Sequence, residues 1–187
     1  MNYSIIPATY SDLEFVLSLN QRSLNAVSGL DLKKINHFLK VSSYFKIFLI
    51  ENTPVGFLIG LLPGKDYQSE NYIWLNNRYE SFIYVDRVII DPEYRRQGLG
   101  SLFYEDLLTS FRNKVGSILC EVNIKPFNKQ SINFHKKYGF KIIEDASHAI
   151  GGKYLDKQKI SFDLVLSSPS ERTQSTSDLV LSYCNPA

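Results

Sequence analysis

The sequence has few cysteines and almost no excess of either charge. Of its 187 residues only Cys120 and Cys184 are cysteines, and 21 basic and 19 acidic residues leave a net charge of +2. Two cysteines form neither a disulfide framework nor a metal cluster, and Cys120 follows two apolar residues, as a buried reduced thiol would. A nearly neutral chain also has no overall field for nucleic acid or an anionic membrane. We therefore expect a reducing compartment, no metal and no nucleic-acid partner.

Long apolar runs are also missing. No uncharged apolar stretch approaches the roughly 18 to 20 residues of a membrane span, and residues 1–7 lack the basic region and apolar core of a signal peptide. We therefore expect a cytoplasmic protein without a membrane partner. The stretch 168–178 has no apolar residue. Composition thus predicts one domain over 1–166 and a polar, disordered tail over 167–187.

Hydrophobic periodicity predicts an α/β domain. The element order is β-α-α-β-β-β-α-β-α-β-β, with right-handed crossovers at each strand-helix-strand step. Residues 63–80 show no clear period and carry several aromatic residues, which either line a pocket or pack over the core. The predicted helices cover 12–25, 31–40, about 99–111 and 129–138, and the strands cover 3–6, 44–51, 55–62, 82–90, 117–123, 140–144 and 159–166.

A glycine turn joins the strand that ends at Ile90 to the following helix. It reads Arg95-Arg96-Gln97-Gly98-Leu99-Gly100. The first turn of a helix has unpaired N–H groups and a partial positive charge, and arginines suit phosphate geometry. A solvated turn has the same composition, so this segment alone leaves both interpretations open. The spacing fits neither the dinucleotide fingerprint nor the P-loop.

A second segment follows the predicted strand 117–123. Asn128 is placed as a helix N-cap, and the helix continues into Phe134-His135-Lys136-Lys137-Tyr138-Gly139-Phe140. Together with the segment 86–100, it resembles the GNAT superfamily of acyl-CoA-dependent N-acetyltransferases over residues 1 to about 166. Residues 85–87 and 120–123 are also similar to a narrower group of uncharacterised predicted acetyltransferases, for which no substrate is implied.

The resemblance implies a GNAT fold, in which a mixed central sheet of about six to seven strands is flanked by about four helices. Its two central strands splay apart. The cosubstrate implied is acetyl-CoA. Its pantetheine arm would pair with the backbone of Val88 and Ile90, and Asn128 and Ser131 match positions that contact the CoA arm. The pyrophosphate would be held by the amides of Gln97, Gly98, Leu99, Gly100 and Ser101, with Arg95 and Arg96 nearby.

The resemblance also implies direct attack by a small-molecule or peptide amine in a ternary complex. Many members protonate the leaving sulfur with a tyrosine at the position where this chain has His135, which is therefore either the acid or a structural residue. Asp86 and Glu121 are the candidate bases, and an ion pair with Arg87 or a lysine is the alternative role for each. Strict strand alternation lets only one of the two carboxylates face the site.

The missing tyrosine leaves a second interpretation open, namely a catalytically weak acyl-CoA-binding sensor or regulatory module of the same fold. The sequence leaves the acceptor, the acyl chain length and the choice between monomer and homodimer open.

Overall fold

The computed structural model describes residues 2–24, 27–122, 128–144 and 165–169. None of the helices in these ranges is long and apolar enough to cross a membrane. The helices are α1 (Leu13–Gln21), α2 (Leu32–Val41), α3 (Glu70–Asn76), α4 (Leu99–Phe111) and α5 (Lys129–Lys137). The strands are β1 (Tyr3–Pro7), β2 (Tyr44–Ile50), β3 (Thr53–Leu61), β4 (Phe82–Ile90), β5 (Ser117–Glu121), β6 (Lys141–Glu144) and β7 (Val165–Pro169).

In the part of the chain that the structure describes, seven strands form one mixed sheet with the order β1-β2-β3-β4-β5-β7-β6. The central pair, β4 and β5, is parallel, and the other neighbours are antiparallel. A parallel pair needs a crossover connection, which α4 supplies. The predicted mixed α/β fold is confirmed.

The two central strands separate at their carboxyl ends. Phe82 to Val85 pair with Ser117 to Cys120, and no pairing follows. Beyond that point β4 continues to Ile90, whereas β5 ends at Glu121. This gap is the predicted splay, and beyond Val85 none of the described strands pairs with this edge of β4.

A β-bulge lies where the splay begins. Val85 pairs with Gly60 and Arg87 pairs with Ile59, so Asp86 is the extra residue on β4. A bulge shifts the alternation of side chains by one position. Asp86 and Arg87 consequently both direct their side chains toward the α1–α2 side of the sheet, as their hydrogen bonds show.

Two apolar clusters cover the two faces of the sheet, because the strands alternate their side chains between them. One cluster packs α4 and α5 on the sheet through Phe103, Leu107 and Ile132. The other packs α1, α2 and α3 on the opposite face through Val16, Ile35 and Leu75. The cleft at the splay therefore has one wall from each layer.

Several elements differ from the sequence prediction, and α1 ends at Gln21 rather than at residue 25. Helix α3 was not predicted, because seven residues are too few to show a clear helical period. Before α1, Asp12 accepts a hydrogen bond of 2.7 Å from the Thr9 N–H and forms a capping box with Thr9. Strand β7 continues to Pro169, past the predicted domain end at residue 166, because its backbone pairing with β5 does not require apolar side chains. The predicted tail beyond residue 169, residues 159–164 and Cys184 lie outside the described residues.

Candidate functional site

The glycine turn has a left-handed backbone at two positions. Gly98, the N-cap of α4, has φ of +84°, and Arg96 has φ of +63°. Glycine adopts this conformation without a steric penalty, whereas an arginine adopts it at a cost in conformational energy because its Cβ approaches the backbone carbonyl. The two positive φ angles fold residues 95–98 into a tight loop against the start of α4.

The amides of this loop are available to a ligand. Among the described residues, no partner accepts a hydrogen bond from the N–H of Gln97, Gly98, Leu99 or Gly100, as expected at the start of a helix. The predicted fifth donor is different, because the Ser101 N–H already donates to the Gly98 carbonyl at 3.0 Å. Four of the five predicted pyrophosphate amides are therefore without a partner among the described residues.

The free edge of β4 presents the backbone of the predicted pantetheine positions. The Asp91 N–H donates to the Val55 carbonyl at 2.8 Å, so the backbone N–H of Asp91 points toward β3. Backbone polar groups alternate along a strand, so those of Val88 and Ile90 are directed away from β3 and into the splay. The Ile90 carbonyl there accepts a hydrogen bond of 3.0 Å from Arg95 Nε, which ties the loop to the strand.

One cavity of about 1050 Å³ connects these features. It runs along the splay from the glycine loop to the ends of β4 and β5. Of the residues predicted for the site, Gln97 is the one that does not line it. The predicted residues that do line it are Asp86, Val88, Ile90, Arg95, Arg96, Gly98, Leu99, Gly100, Ser101, Glu121, Asn128, Ser131 and His135.

Helix α5 forms one wall of this cavity. The Asn128 side chain caps the helix by accepting a hydrogen bond of 3.1 Å from the Ser131 N–H. The ring of Phe134 packs against Gly100, where an added Cβ would lie 3.0 Å from the ring. The absence of a side chain at Gly100 therefore allows α5 to approach the start of α4 closely.

An acidic cluster, made of Asp86, Glu121, Tyr67, Tyr84 and Arg87, lies at the carboxyl ends of β4 and β5. Tyr67 donates a short hydrogen bond to Asp86 Oδ1, and Tyr84 donates one to Glu121 Oε1. The expectation that only one carboxylate faces the site is wrong, because Val85 pairs with Cys120 in parallel register, which places the next residues, Asp86 and Glu121, on the same face of the sheet.

The two phenols of the acidic cluster are held neutral. Burial raises the pKa of Tyr67, and the charges of Asp86 and Glu121 raise it further. Burial and the Glu121 carboxylate likewise raise the pKa of Tyr84 well above its usual value. Both phenols therefore act as hydrogen-bond donors to the carboxylates at neutral pH.

Arg87 neutralises Asp86 and reaches across to α1. Its Nε donates to Asp86 Oδ2 at 2.6 Å, and both side chains are only 4% exposed. Its Nη1 donates to Asn20 Oδ1 at 2.8 Å and to the Ser28 carbonyl at 3.1 Å, and Nη2 donates to Ser28 Oγ at 3.2 Å. These contacts match the ion-pair alternative for Asp86 and connect β4 to the segment that follows α1.

His135 lies in a buried network on the other wall. Its Nδ1 is 2.8 Å from the Ser131 carbonyl, an acceptor, so Nδ1 carries the proton. Its Nε2 then accepts a hydrogen bond of 2.9 Å from the Tyr104 hydroxyl. Burial lowers the pKa of His135 below its usual value of 6.5, so the ring is neutral at pH 7. Both ring nitrogens are engaged, which favours a positioning role for His135 over that of a proton donor to the cleft.

Two aromatic residues beside this network were not predicted as site residues. Tyr104 is buried, lines the cavity and lies close enough to hydrogen-bond Cys120, whose pKa is raised by burial. Tyr138 is half-buried on the cavity wall, and its ring centroid lies 5.2 Å from that of Tyr104. Burial and nearby Glu105 raise the pKa of Tyr138 to about 12.

Sequence patterns missed the partners of the predicted residues for a simple reason. Tyr67, Tyr84 and Tyr104 are separated along the chain from the carboxylates and the histidine they contact, and a spacing pattern detects only local neighbours. The aromatic content of residues 63–80 was the one signal for Tyr67. Among the residues that the structure describes, no group of three or more His, Cys, Asp or Glu is arranged to hold a metal ion.

Residues 14–140 match the family model of the acetyltransferase (GNAT) family. This match covers more than half of the chain. A comparison with curated protein sequences finds no match.

Solved structures share the fold along nearly the whole chain. Ard1 from Thermoplasma volcanium superposes with a TM-score of 0.66 at 21% identity, covering 90% of this chain and 98% of that one. yncA from Salmonella typhimurium, solved with its cofactor acetyl-CoA, gives a TM-score of 0.64 at 14% identity over 92% of this chain and 96% of that one. Naa50 from Arabidopsis thaliana, in complex with the bisubstrate analogue CoA-Ac-MVNAL, gives a TM-score of 0.62 at 18% identity. The superposition covers 90% of this chain and 99% of that one.

Proposed function

Because the chain belongs to the GNAT acetyltransferase family, we propose that it transfers an acetyl group from acetyl-CoA to a primary amine by direct attack in a ternary complex. One observation carries this proposal. A single cavity joins a loop of unpartnered amides to a pair of carboxylates across the splay of the central strands. The loop suits a pyrophosphate, and the carboxylates suit an ammonium ion.

The residues present fit acetyl-CoA. The amides of Gln97 to Gly100 and the guanidinium groups of Arg95 and Arg96 would hold the pyrophosphate. The backbone of Val88 and Ile90 would pair with the pantetheine arm in the way that an added strand pairs with a sheet edge. Asn128 and Ser131 would contact the same arm from α5. That yncA, of the same fold, binds acetyl-CoA supports this fit.

Acetyl-CoA would supply an acetyl group already activated as a thioester, so the protein has to position the amine and remove its proton. The amine nitrogen would form a bond to the carbonyl carbon, the C–S bond would break, and CoA would leave as a thiolate that takes up a proton from solvent. Glu121 is the proposed base, because it ends β5 at the splay and lines the cavity. Tyr84 would orient its carboxylate through the hydrogen bond to Oε1. Asp86 is proposed as a positioning residue, because Arg87 and Tyr67 occupy its two oxygens.

His135 is proposed to position Tyr104 rather than to protonate the leaving thiolate. The Nδ1 proton is donated to the Ser131 carbonyl, and Nε2 accepts the Tyr104 proton. This arrangement is also the observation that favours the alternative function, an acyl-CoA-binding sensor with weak turnover. The sensor binds acetyl-CoA but does not release thiol when an amine is added.

Calorimetry followed by an activity assay tests the proposal. The purified protein is titrated with acetyl-CoA and with CoA, and thiol release is then measured in the same sample against a panel of amines. Binding with amine-dependent release is the expected result. Binding without release for any amine contradicts acetyl transfer and favours the sensor, whereas the absence of binding contradicts the role of residues 95–100.

A further inference from the structure

Arg87 is a buried cation that donates to several acceptors at once. Its Nε donates to the Asp86 carboxylate, Nη1 donates to Asn20 Oδ1 and to the Ser28 carbonyl, and Nη2 donates to Ser28 Oγ. Asn20 Nδ2 also donates to the Ser28 carbonyl, at 3.2 Å. The planar fork of a guanidinium suits several fixed acceptors, whereas a lysine ammonium is a single point charge. Arg87 therefore fixes the bulge of β4 relative to the end of α1 and to residue 28.

The residues next to these contacts line the cavity. We refer to Ser23, Val27 and Ser28, which all line it, as the α1 wall. The Ser23 N–H donates to the Asn20 carbonyl at 2.9 Å, and the Val27 N–H donates to the Ser23 carbonyl at 3.2 Å. Arg87 holds the chain on either side of this turn, at Asn20 and at Ser28. The position of the α1 wall therefore depends on the Arg87 guanidinium.

A second part of the cavity wall is connected to the same guanidinium. Tyr67, in the segment between β3 and α3, lines the cavity and donates to the other oxygen of Asp86. Its ring packs against the ring of Phe38 on α2, with centroids 5.0 Å apart, and the Arg87 guanidinium lies 5.6 Å from the Phe38 centroid. The Asp86–Arg87 pair therefore joins the α1 wall to the segment that carries Tyr67.

Both of these parts lie on the face of the sheet from which an amine would reach Glu121. Tyr84, which donates to Glu121, belongs to the apolar cluster that packs against α1 and α2. The side chains of α5 that would hold acetyl-CoA pack on the opposite face. A change in the position of the α1 wall should consequently affect the amine and leave acetyl-CoA binding unaltered.

This inference rests on the proposed function and assigns a further residue to it. We propose that Arg87 is a positioning residue that fixes the amine-binding side of the cleft before the amine arrives. Its guanidinium holds the α1 wall directly and holds Tyr67 through Asp86, without touching the reacting atoms. A wall that is already ordered adds no ordering cost to binding, so loss of the guanidinium should raise the KM of the amine.

Arg87→Lys tests the proposal on the full-length protein. Lysine keeps a positive charge beside Asp86 but cannot reach Asn20 and Ser28 at the same time. Thiol release is measured at saturating acetyl-CoA with the amine that reacts fastest in the panel used to test acetyl transfer. We expect the KM of this amine to rise about tenfold, while the Kd and stoichiometry of acetyl-CoA binding, measured by calorimetry, stay within about twofold. A purely structural role would instead lower the binding stoichiometry and kcat together and leave KM unchanged.

Two further variants accompany Arg87→Lys. Arg22→Lys is the matched control, because Arg22 caps α1, is 51% exposed and pairs with Asp91 at 2.8 Å outside the cavity lining. Lysine can keep this exposed pair, which contributes little, so KM should stay within about twofold. Ser28→Ala removes the Nη2 contact to Ser28 Oγ without leaving a buried charge unpaired, and it should raise KM by about two- to threefold. It tests the same contact if Arg87→Lys does not fold.

Hydrogen exchange gives a measurement that needs neither substrate nor turnover. The amides of Ser23 and Val27 are hydrogen-bonded within the α1 wall and its support. Without acetyl-CoA or amine, their exchange should be about tenfold faster in Arg87→Lys than in the wild-type protein. Arg22→Lys should exchange at the wild-type rate.

The outcomes separate this inference from the function on which it rests. If Arg87→Lys or Ser28→Ala keeps the wild-type KM, or if exchange of the α1 wall is unaltered in Arg87→Lys, the positioning role is wrong while acetyl transfer stands. An equal loss of affinity for acetyl-CoA also contradicts it. If the wild-type protein binds acetyl-CoA and no amine releases thiol, acetyl transfer itself fails, and the role of Arg87 toward an acceptor fails with it.

Discussion

At the scale of the residue, Asp86 and Glu121 belong to the same cluster but have different partners. Asp86 is held by Arg87 and Tyr67, whereas Glu121 is held by Tyr84 at the end of β5. An ion pair whose members are both 4% exposed is expensive to break, since the remaining charge stays buried. The two carboxylates should therefore respond differently to loss of their charge.

Glu121→Gln should reduce kcat by about 10²–10⁴-fold and remove the fall of kcat on the acidic side of the pH profile, because the amide cannot accept the ammonium proton. The affinity for acetyl-CoA should not change, which calorimetry measures. Glu80→Gln, at an exposed glutamate outside the cavity lining, is the matched control. A Glu121→Gln variant with an unaltered pH–rate profile would remove Glu121 from the role of base.

Asp86→Asn should instead destabilise the fold. The substitution leaves the Arg87 guanidinium buried without its carboxylate, which we expect to lower the free energy of unfolding by about 3 kcal/mol. Denaturant titration of Asp86→Asn and Glu121→Gln side by side measures the difference. Equal stability of the two variants would show that the Asp86–Arg87 pair contributes no more than the Glu121 contact.

The histidine network predicts a coupling between two substitutions. His135→Ala leaves the buried Tyr104 hydroxyl with only the weak acceptor Sγ of Cys120, so the free energy of unfolding should fall by about 2–4 kcal/mol. Tyr104→Phe removes that hydroxyl, and the double variant should therefore recover about 1 kcal/mol relative to the sum of the single variants. If His135 is instead the catalytic acid, Tyr104→Phe leaves activity intact while His135→Ala abolishes the pH dependence of kcat.

The same histidine predicts a direction for the effect of pH on stability. The pKa of His135 is lowered from 6.5 in the folded protein, so the unfolded chain binds a proton at a higher pH than the folded chain does. The free energy of unfolding should be independent of this group well above pH 6.5 and should fall as the pH decreases through 6.5 toward the lower folded value. His135→Gln should flatten this part of the stability profile, measured by thermal unfolding across the range.

At the scale of the element, the loop before α4 combines backbone strain with ligand-binding groups. Arg96 has a left-handed backbone with φ of +63°, whereas its neighbour Arg95 is extended with φ of −68°. Arg95 also donates to the Ile90 carbonyl at 3.0 Å. The two arginines therefore offer a comparison in which charge is equal and backbone geometry differs.

Arg96→Gly should relieve the strained φ, while Arg95→Gly relieves nothing and loses a hydrogen bond. We expect the Arg96→Gly variant to be the more stable by about 1 kcal/mol or more, measured by denaturant titration. Both variants should bind acetyl-CoA about five- to tenfold more weakly, because each removes one guanidinium from the pyrophosphate loop. Unchanged affinity in both would contradict the role of the arginines.

At the scale of the whole molecule, the sheet is completed by β7, the last of the described strands. Strand β7 lies between β5 and β6 and pairs with both. It therefore supports β5, the strand that carries Glu121. Residues 165–169 thus contribute to the architecture of the cleft.

Two truncated chains test this arrangement. A chain that ends after residue 170 keeps β7 and should unfold with the Tm of the full-length protein. A chain that ends after residue 164 lacks the strand between β5 and β6, so it should lose cooperative unfolding and acetyl-CoA binding, because those strands then have unpaired edges. If the shorter chain keeps its Tm, β7 is not required for the sheet.

The sequence by itself determined the elements and the glycine loop. Helix and strand periods are local, so α2, α4, α5 and the five strands up to β5 could be predicted from side-chain patterns. The loop amides also follow from local order, because a glycine turn that opens a helix places unpaired N–H groups there whatever surrounds it. The short helix α3 and the end of β7 were not predicted. Helix α3 is too short to show a helical period, and the end of β7 is defined by backbone pairing rather than by apolar side chains.

Only the tertiary structure decided which role each carboxylate and the histidine can take. The bulge at Asp86 arises from pairing with β3, and strict alternation along the sequence cannot foresee it. The partners Tyr67, Tyr84 and Tyr104 come from other elements, brought together by the packing of helices on both faces of the sheet. Burial and hydrogen bonding set the charge of a titratable group, and both depend on residues that are distant in the chain.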